Sequence, residues 1–441
     1  MKRSFKALFW PTFIELLFFM LMGTIDTLML SNYSDFAVGS VGNSNTLIQM
    51  FAVLLLVVAN GVAVLVSQYL GAKKEQVAHR VIGNGLIINF FVGLVLAISL
   101  VVLAPQLLML VKTKEELFQG SLDYLQIVGF ALLFVAVSNV ATATLRSYGH
   151  AKWITYVVVV ANMINIIGNA ILINGYLGFP RLGISGAAIS TLIVRSMMMI
   201  VYLILLYKVI GLKLRNIRLD KETAKQVVKI GLPSALESWT YTVMQGIILS
   251  MINNLGPEYT TARTYVNTIL TYIYIFSLAF AAANAVMTGY YIGERNFDLA
   301  HKKTIKTAFL SFVVVTAMTI IVNLLSGYIL PIFTHNQLII NIVRNVLWLA
   351  VILEFGRSLN LIFIQALRSA GDTTFPLVMA VLSMMGVAVT LAYVLGVHFA
   401  FGLFGIYIAY AIDELFRGFL MVLRWRSRKW ETKSKYIEQT V

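Results

Sequence analysis

Residues 11–30 read PTFIELLFFMLMGTIDTLML, a run in which only Glu15 and Asp26 are ionisable. About 20 mostly apolar helical residues cross a hydrocarbon core about 30 Å thick, so the stretch predicts a transmembrane helix over roughly 8–31. Its acids and the lack of a small-residue cleavage site predict a retained helix rather than a signal peptide. Runs of the same character fall at about 45–70, 81–104, 121–145, 153–174 and 183–207. Six more follow at about 231–253, 267–292, 304–327, 341–368, 374–397 and 402–424. Because each run is continuous instead of alternating polar and apolar, membrane strands are not expected. The composition agrees. Of 441 residues, 59% are hydrophobic and 12% charged, about half the charge a soluble domain carries. Such apolar content excludes disorder. The absence of cysteine excludes disulfides, thiolate metal sites and a cysteine nucleophile.

Lys and Arg set the orientation. With the N-terminus inside, the inner segments hold 26 of the 34 basic residues, the outer segments five, and three arginines lie within spans. Basic loops stay cytoplasmic, so a multi-pass protein of the cytoplasmic (inner) membrane is expected, both termini inside. The formal net charge of +15 is then a topology signal and a lipid contact, and no nucleic-acid partner is expected.

A shift of 222 residues superposes the chain on itself. Pro11 falls on Pro233 and Glu15 on Glu237; Asn45-Thr46 falls on Asn267-Thr268, Gly71 on Gly293 and Ala78-His79 on Ala300-His301. LRSYG at 145–149 falls on LRSAG at 367–371, Gly183-Ile184 on Gly405-Ile406, and Arg195 on Arg417. Chance matches of Leu or Ala are expected between membrane helices, but Pro, His, Glu and Arg are scarce here. The fold expected is therefore an all-α membrane protein of twelve transmembrane helices in two six-helix lobes related by internal repeat. An even number of spans per copy makes the repeat parallel, about an axis along the membrane normal. The lobes are expected at 1–207 and 230–425, with a cytoplasmic linker at 208–229 and a basic tail at 426–441.

Ionisable groups at bilayer depth are costly and mark function or pairing. Six are acids, Glu15, Asp26, Glu237, Glu354, Asp413 and Glu414; three are bases, Arg195, Arg357 and Arg417. The negative excess suits cations and protons. Asp26 has no Lys or Arg near it in sequence, and Asn169 on the fifth span lies at the same depth. Asn162, Asn165 and Asn169 form one stripe. A buried acid beside carboxamides suits a proton or Na⁺, the amides coordinating the ion or bonding the neutral acid; equally, such a stripe can simply join helices. Glu15, about 16 Å from Asp26 along the same side of its helix, is expected to accept structural hydrogen bonds at the membrane entrance. Glu237, amid ESWTY, is open to the same role or to contact with a ligand cation. Glu354 and Arg357 are expected to pair. A network of Glu354, Arg357, Asp413 and Arg417 would be a static clamp or a pairing that switches with protonation.

GTIDTLML around Asp26, SQYLGAKKEQVAHR with its counterpart GYYIGERNFDLAHKK, LRSYGHAK, GISGAAIST, EFGRSLNLIFIQALRSAGDTTFP, GIYIAYAIDELFRG and RWRSRKW cover nearly the whole chain. Together they resemble the multidrug and toxic compound extrusion (MATE) family, its bacterial branch in particular. The resemblance implies a V-shaped, two-lobe carrier that exchanges drugs or metabolites for H⁺ or Na⁺, without a cofactor. It implies a first-lobe cation site at Asp26. Where the family often has Asn and then Asp on the fifth helix, this chain has Asn165 and Asn169, so Asp26 is the sole acid there. Family members with a second-lobe ion site use acids on helices 7 and 10; Glu237 and Glu354 lie on those helices, Glu237 about a turn from the usual place.

The expected function is cation-coupled export of cationic or amphipathic small molecules by a monomer in the bilayer. Asp26, Asn165 and Asn169 would couple the ion, H⁺ or Na⁺. Glu237, Glu354, Arg357 and Asp413 would form a second polar site. Tyr265, Tyr272, Tyr274 and Met197 to Met199 are candidates for an adaptable apolar cavity. The alternative is a lipid-linked glycan flippase, which needs cationic residues for pyrophosphate. No HExxH or GxSxG motif and no loop long enough for a catalytic domain supports an enzyme.

Overall fold

The computed structural model describes residues 4–111, 113–213 and 218–433. Lys2, Arg3, Lys112, Arg215 and Lys435, all counted for orientation, lie outside the described residues, as do 434–441 of the expected tail. No strand occurs among the described residues. The chain divides into two compact units, one of residues 1–70 with 74–235, the other of 71–73 with 236–441.

The first unit contains α1 (Phe5–Ser31), α2 (Asp35–Gly71), α3 (Glu75–Val102), the short α4 (Ala104–Leu110), α5 (Glu115–Val128), α6 (Ala131–Ser147), α7 (Ala151–Asn174) and α8 (Ile184–Lys208). Helix α9 (Lys221–Leu255) runs from it into the second unit. There follow α10 (Pro257–Gly293), α11 (Phe297–Leu324), the short α12 (Ser326–Phe333), α13 (Gln337–Ser369), α14 (Thr374–Ser383) and α15 (Gly402–Arg426). Among the described residues nine helices are long and apolar enough to cross a bilayer, and α5 with α6 makes a tenth crossing. Helices α9 and α15 complete the twelve. They fall outside the apolar set because α9 carries ESWTYTVMQ and α15 carries Asp413, Glu414 and Arg417.

Two spans depart from the straight helices expected. The run at 121–145 bends by 47° between α5 and α6. Gly129 sits at the bend, where a Cβ would lie 2.6 Å from the Leu125 carbonyl oxygen and 2.8 Å from Val101. The run at 374–397 is α-helical only through Ser383, then widens into π turns over Met384–Val389 and Ala392–His398. Such turns recur at functional sites.

The start of α9 is built on the first unit. Asp220 caps the helix, its carboxylate accepting from the Thr223 amide at 2.8 Å and hydroxyl at 2.5 Å. These bonds hold its carboxyl below the ordinary carboxylate range. Its own amide donates to Asn84 of α3 at 2.7 Å. Further along, a Cβ on Gly231 would stand 1.7 Å from the Val57 carbonyl oxygen of α2. Only glycine admits that approach, the small-residue contact typical of membrane helices.

The duplication extends to conformation. The short helices α4 and α12 occupy the same place in the two copies. Lys73 and Arg295, 222 residues apart, both hold φ of 59°, and Gly149 and Gly371 hold 81° and 83°. An ion pair also repeats. Both Glu15 carboxylate oxygens lie 2.8 Å from one Arg146 amino group, tying α1 to α6. Glu237 accepts from Arg368 at 2.6 Å, tying α9 to α13. In each copy the partners are 131 residues apart. Both pairs are largely withdrawn from water, so removing one partner strands the other. We expect Arg146→Ala and Arg368→Ala each to destabilise the protein by about 2–3 kcal/mol, read as a lower thermal midpoint in detergent. Exchanging the charges (Glu15→Arg with Arg146→Glu) should recover part of that loss; if it recovers none, the pair is not the cause.

Candidate functional site

In the first unit α1 and α7 bring Asp26 and Asn169 together, the carboxamide donating to Asp26 Oδ1 at 2.6 Å. The same nitrogen lies 3.4 Å from Asn165 Oδ1, and the Asn165 amide donates to Ser190 Oγ of α8 at 3.3 Å. Asn165 and Asn169 are fully buried. Two glycines close α8 onto this row: a Cβ on Gly186 would lie 2.4 Å from the Leu172 carbonyl oxygen, and one on Gly168 2.6 Å from Ser190 Oγ. Asn162 leaves the chain of contacts and bonds the Val158 carbonyl of its own helix at 2.8 Å. Asn169 Oδ1 is buried without a hydrogen-bond donor. Among the described residues no Lys or Arg lies within 4 Å of Asp26; Arg195 of α8, set over the Phe19 ring at 5.7 Å, acts on it only at longer range. The group therefore offers an acid and a carboxamide oxygen with acceptor capacity to spare. That chemistry suits a proton or a small cation, not an anion.

In the second unit the expected network forms, with an extra member. Arg357 bonds Glu354 at 2.5 Å, and Arg417 bonds Asp413 at 2.5 Å. Glu414 joins the two pairs, 2.9 Å from Arg417 and 3.8 Å from Arg357. Asn360 donates to Glu414 at 2.8 Å, and Ser383, at the seam between α14 and the π turns, donates to Asp413 at 2.5 Å. The helices meet backbone to backbone, since a Cβ on Gly356 would lie 2.8 Å from the Leu415 amide nitrogen. With every group ionised, three acids face two arginines. One negative charge is left in a low-dielectric interior, where an uncompensated ion costs several kcal/mol. Glu354 is fully buried and its Oε2 has no donor, so this oxygen keeps acceptor capacity inside the network. Glu237, paired with Arg368, is not part of this network's hydrogen bonds.

The aromatic and methionine candidates separate. Met197 and Met198 line an apolar groove of about 260 Å³ between α7 and α8 together with Trp153 and Tyr156. Tyr274 lies under Arg357 at 5.4 Å, while Tyr265 packs on Phe333 at 5.4 Å. Each unit also exposes polar residues at membrane depth: Asn45, Thr46 and Gln49 on α2, and Thr264, Asn267 and Thr268 on α10. Side chains of this kind belong against water, not lipid. Groups of three or more His, Cys, Asp or Glu able to hold a metal do not occur among the described residues.

Arg146, Arg368, Glu414, Ser190 and Ser383 were not among the expected site residues. The signal for the two arginines lay in the repeat, because LRSYG and LRSAG stand at the same shift as Glu15 and Glu237. Glu414 was visible as a membrane acid, but its bridging position is a property of helix packing.

Known proteins match over the whole architecture. The family model described as MatE matches residues 11–171 and again 233–394, one copy of the repeat each time. A Bacillus subtilis protein named "Uncharacterized transporter YisQ" is 36% identical, covering 98% of this chain and 95% of its own. A Thermotoga maritima protein named "Probable multidrug resistance protein NorM" is 25% identical across 100% of this chain and 95% of its own. Among solved structures, "Crystal structure of MATE in the straight conformation" superposes with a TM-score of 0.88 at 20% identity, covering 99% of this chain and 98% of that one. The duplicated helical lobes and the double family match have one explanation: the chain belongs to the MatE family of membrane transporters.

Proposed function

We propose that the protein is a secondary active antiporter that exports cationic or amphipathic organic compounds across the cytoplasmic membrane in exchange for H⁺ or Na⁺, by alternating access. The observation that carries the proposal is the Asp26–Asn169 contact: a membrane acid held by a carboxamide, with no basic residue within 4 Å among the described residues. Such an acid changes its partners when it gains or loses a proton or Na⁺, and that change is the coupling step. Asn165 orders Asn169 from the next turn. The Glu354, Arg357 and Asp413 network, extended by Glu414, is a second point at which one proton or cation offsets the excess charge. Glu237, paired with Arg368 outside that network, braces α9 to α13. The basic ends of the units face the cytoplasm, the carrier works as a monomer, and residues 208–229 join its lobes. The names of the multidrug-resistance relatives support export of drug-like compounds. The glycan-flippase alternative is weaker, because two of the three arginines within spans, Arg357 and Arg417, are already neutralised by acids.

Reconstitution in vesicles tests the coupling. With an imposed H⁺ or Na⁺ gradient, Asp26→Asn should lower gradient-driven dye transport by about tenfold or more, the scale of a coupling free energy between sites. Transport unchanged in that variant would remove Asp26 from the mechanism. In the second unit, Glu414→Gln takes one negative charge from the network and should cost less stability than Arg417→Met, which strands two acids and is expected to cost about 3–5 kcal/mol. Thermal unfolding in detergent ranks the two, and the reverse order would contradict the charge count.

A further inference from the structure

The repeat separates scaffold from special-purpose chemistry, and one polar cluster in the second unit belongs to the latter. Gln245 of α9 sits at its centre. Its Oε1 accepts from the Tyr410 hydroxyl of α15 at 2.9 Å and from Arg263 of α10 at 3.2 Å. Its Nε2 donates to the Tyr241 hydroxyl at 2.9 Å. Beside it, Tyr407 donates to Asn267 Oδ1 at 2.9 Å. A shift of 222 residues places Gly23, Val41, Ala188 and Phe19 where Gln245, Arg263, Tyr410 and Tyr241 stand. The first copy keeps its fold without any of these polar groups, so holding helices together does not require them.

The chemistry of the cluster points outward. Arg263 has no carboxylate within 4 Å among the described residues, and its one hydrogen bond goes to a neutral amide. A guanidinium has five N–H donors in a planar fork that matches a carboxylate. The Tyr241 oxygen already accepts from Gln245, which leaves its proton to donate elsewhere, and the residue is 36% exposed. Tyr407 and Tyr410 are buried behind it. Thr264 and Asn267, one and four residues along α10 from Arg263, are exposed on the polar face, and a Cβ on Gly246 would meet nothing within 4 Å. The cluster is thus a cation and a phenol donor, fixed from behind by an amide and open on one side.

We infer that Arg263, seated by Gln245 and flanked by Tyr241, is a subsite for the carboxylate of a transported aromatic compound. The guanidinium takes the carboxylate, the Tyr241 hydroxyl supplies a further donor, and the exposed tyrosine ring lies against the aromatic body. The subsite rests on the transport function proposed above and names the residues of this chain that would select among its substrates by charge.

Two dyes that differ only in this group provide the test: rhodamine 110, a free carboxylate, and rhodamine 123, its methyl ester. Binding is read by fluorescence polarisation on the full chain in nanodiscs, and transport in proteoliposomes. In Arg263→Gln the ratio of affinities should shift about tenfold toward the ester, the weight of one charge-assisted contact. Tyr241→Phe should shift it the same way by about threefold, and Arg263→Lys should restore part of the preference. An unchanged ratio in Arg263→Gln, with the variant's thermal midpoint intact, overturns the subsite and leaves transport standing. So does a wild type that moves the ester and refuses the acid. If wild-type protein moves neither dye under any gradient, the transport function fails and takes the subsite with it.

Discussion

An ion pair repeated in both copies fixes the rest of this molecule. A charge at bilayer depth has to be compensated locally, because lipid offers neither water nor a counter-ion. Glu15 and Arg146 compensate each other across α1 and α6, and Glu237 and Arg368 do so across α9 and α13. Each pair joins the first long helix of its copy to the fourth crossing. In the first unit the anchored helix is the one that carries Asp26, about three turns from the brace, so the brace fixes the rotation and height at which Asp26 meets Asn169. In the second unit the brace holds α13, which carries Glu354 and Arg357 into contact with α15.

Recurrence at a fixed shift then sorts the remaining features. The braces, the left-handed residues at Lys73 and Arg295, the glycine turns at Gly149 and Gly371 and the short helices α4 and α12 occur twice. They are what a six-helix lobe needs to fold. Asp26 falls on Ile248 and Asn169 on Leu391, while Glu354 falls on Leu132. The acid and amide of the first unit and the charge network of the second each occur once. A duplicated scaffold with unduplicated polar sites is the arrangement expected when two lobes share a fold and divide the chemistry.

The spans and the repeat were legible in the sequence because membrane length and the spacing of scarce residues are properties of the chain itself. The shared depth of Asp26 and Asn169 was legible too, since both lie about five residues from the same end of their helices. Contacts that depend on packing were less so. Arg146 was counted among loop charges as a topology signal, and only the structure turns its side chain toward Glu15, 131 residues earlier. Arg263 was counted in the same way and proves to be engaged with Gln245. The bend at Gly129 was hidden because hydropathy does not register the direction of a helix, and the π turns after Ser383 leave no mark in an apolar run.

The 131-residue separation in each brace also has a consequence for biosynthesis. Chain growth at about 5–20 residues per second brings Arg146 out of the ribosome roughly seven to twenty-six seconds after Glu15. Throughout that interval the first helix is in the bilayer with its acid unmatched, so it must wait near the headgroups or as the neutral acid. Arrival of the fourth crossing seats it. The second copy passes through the same delay with Glu237 and Arg368, so each lobe becomes complete only when its own arginine has been made, and the maturation of the membrane bundle proceeds in two equal, successive steps.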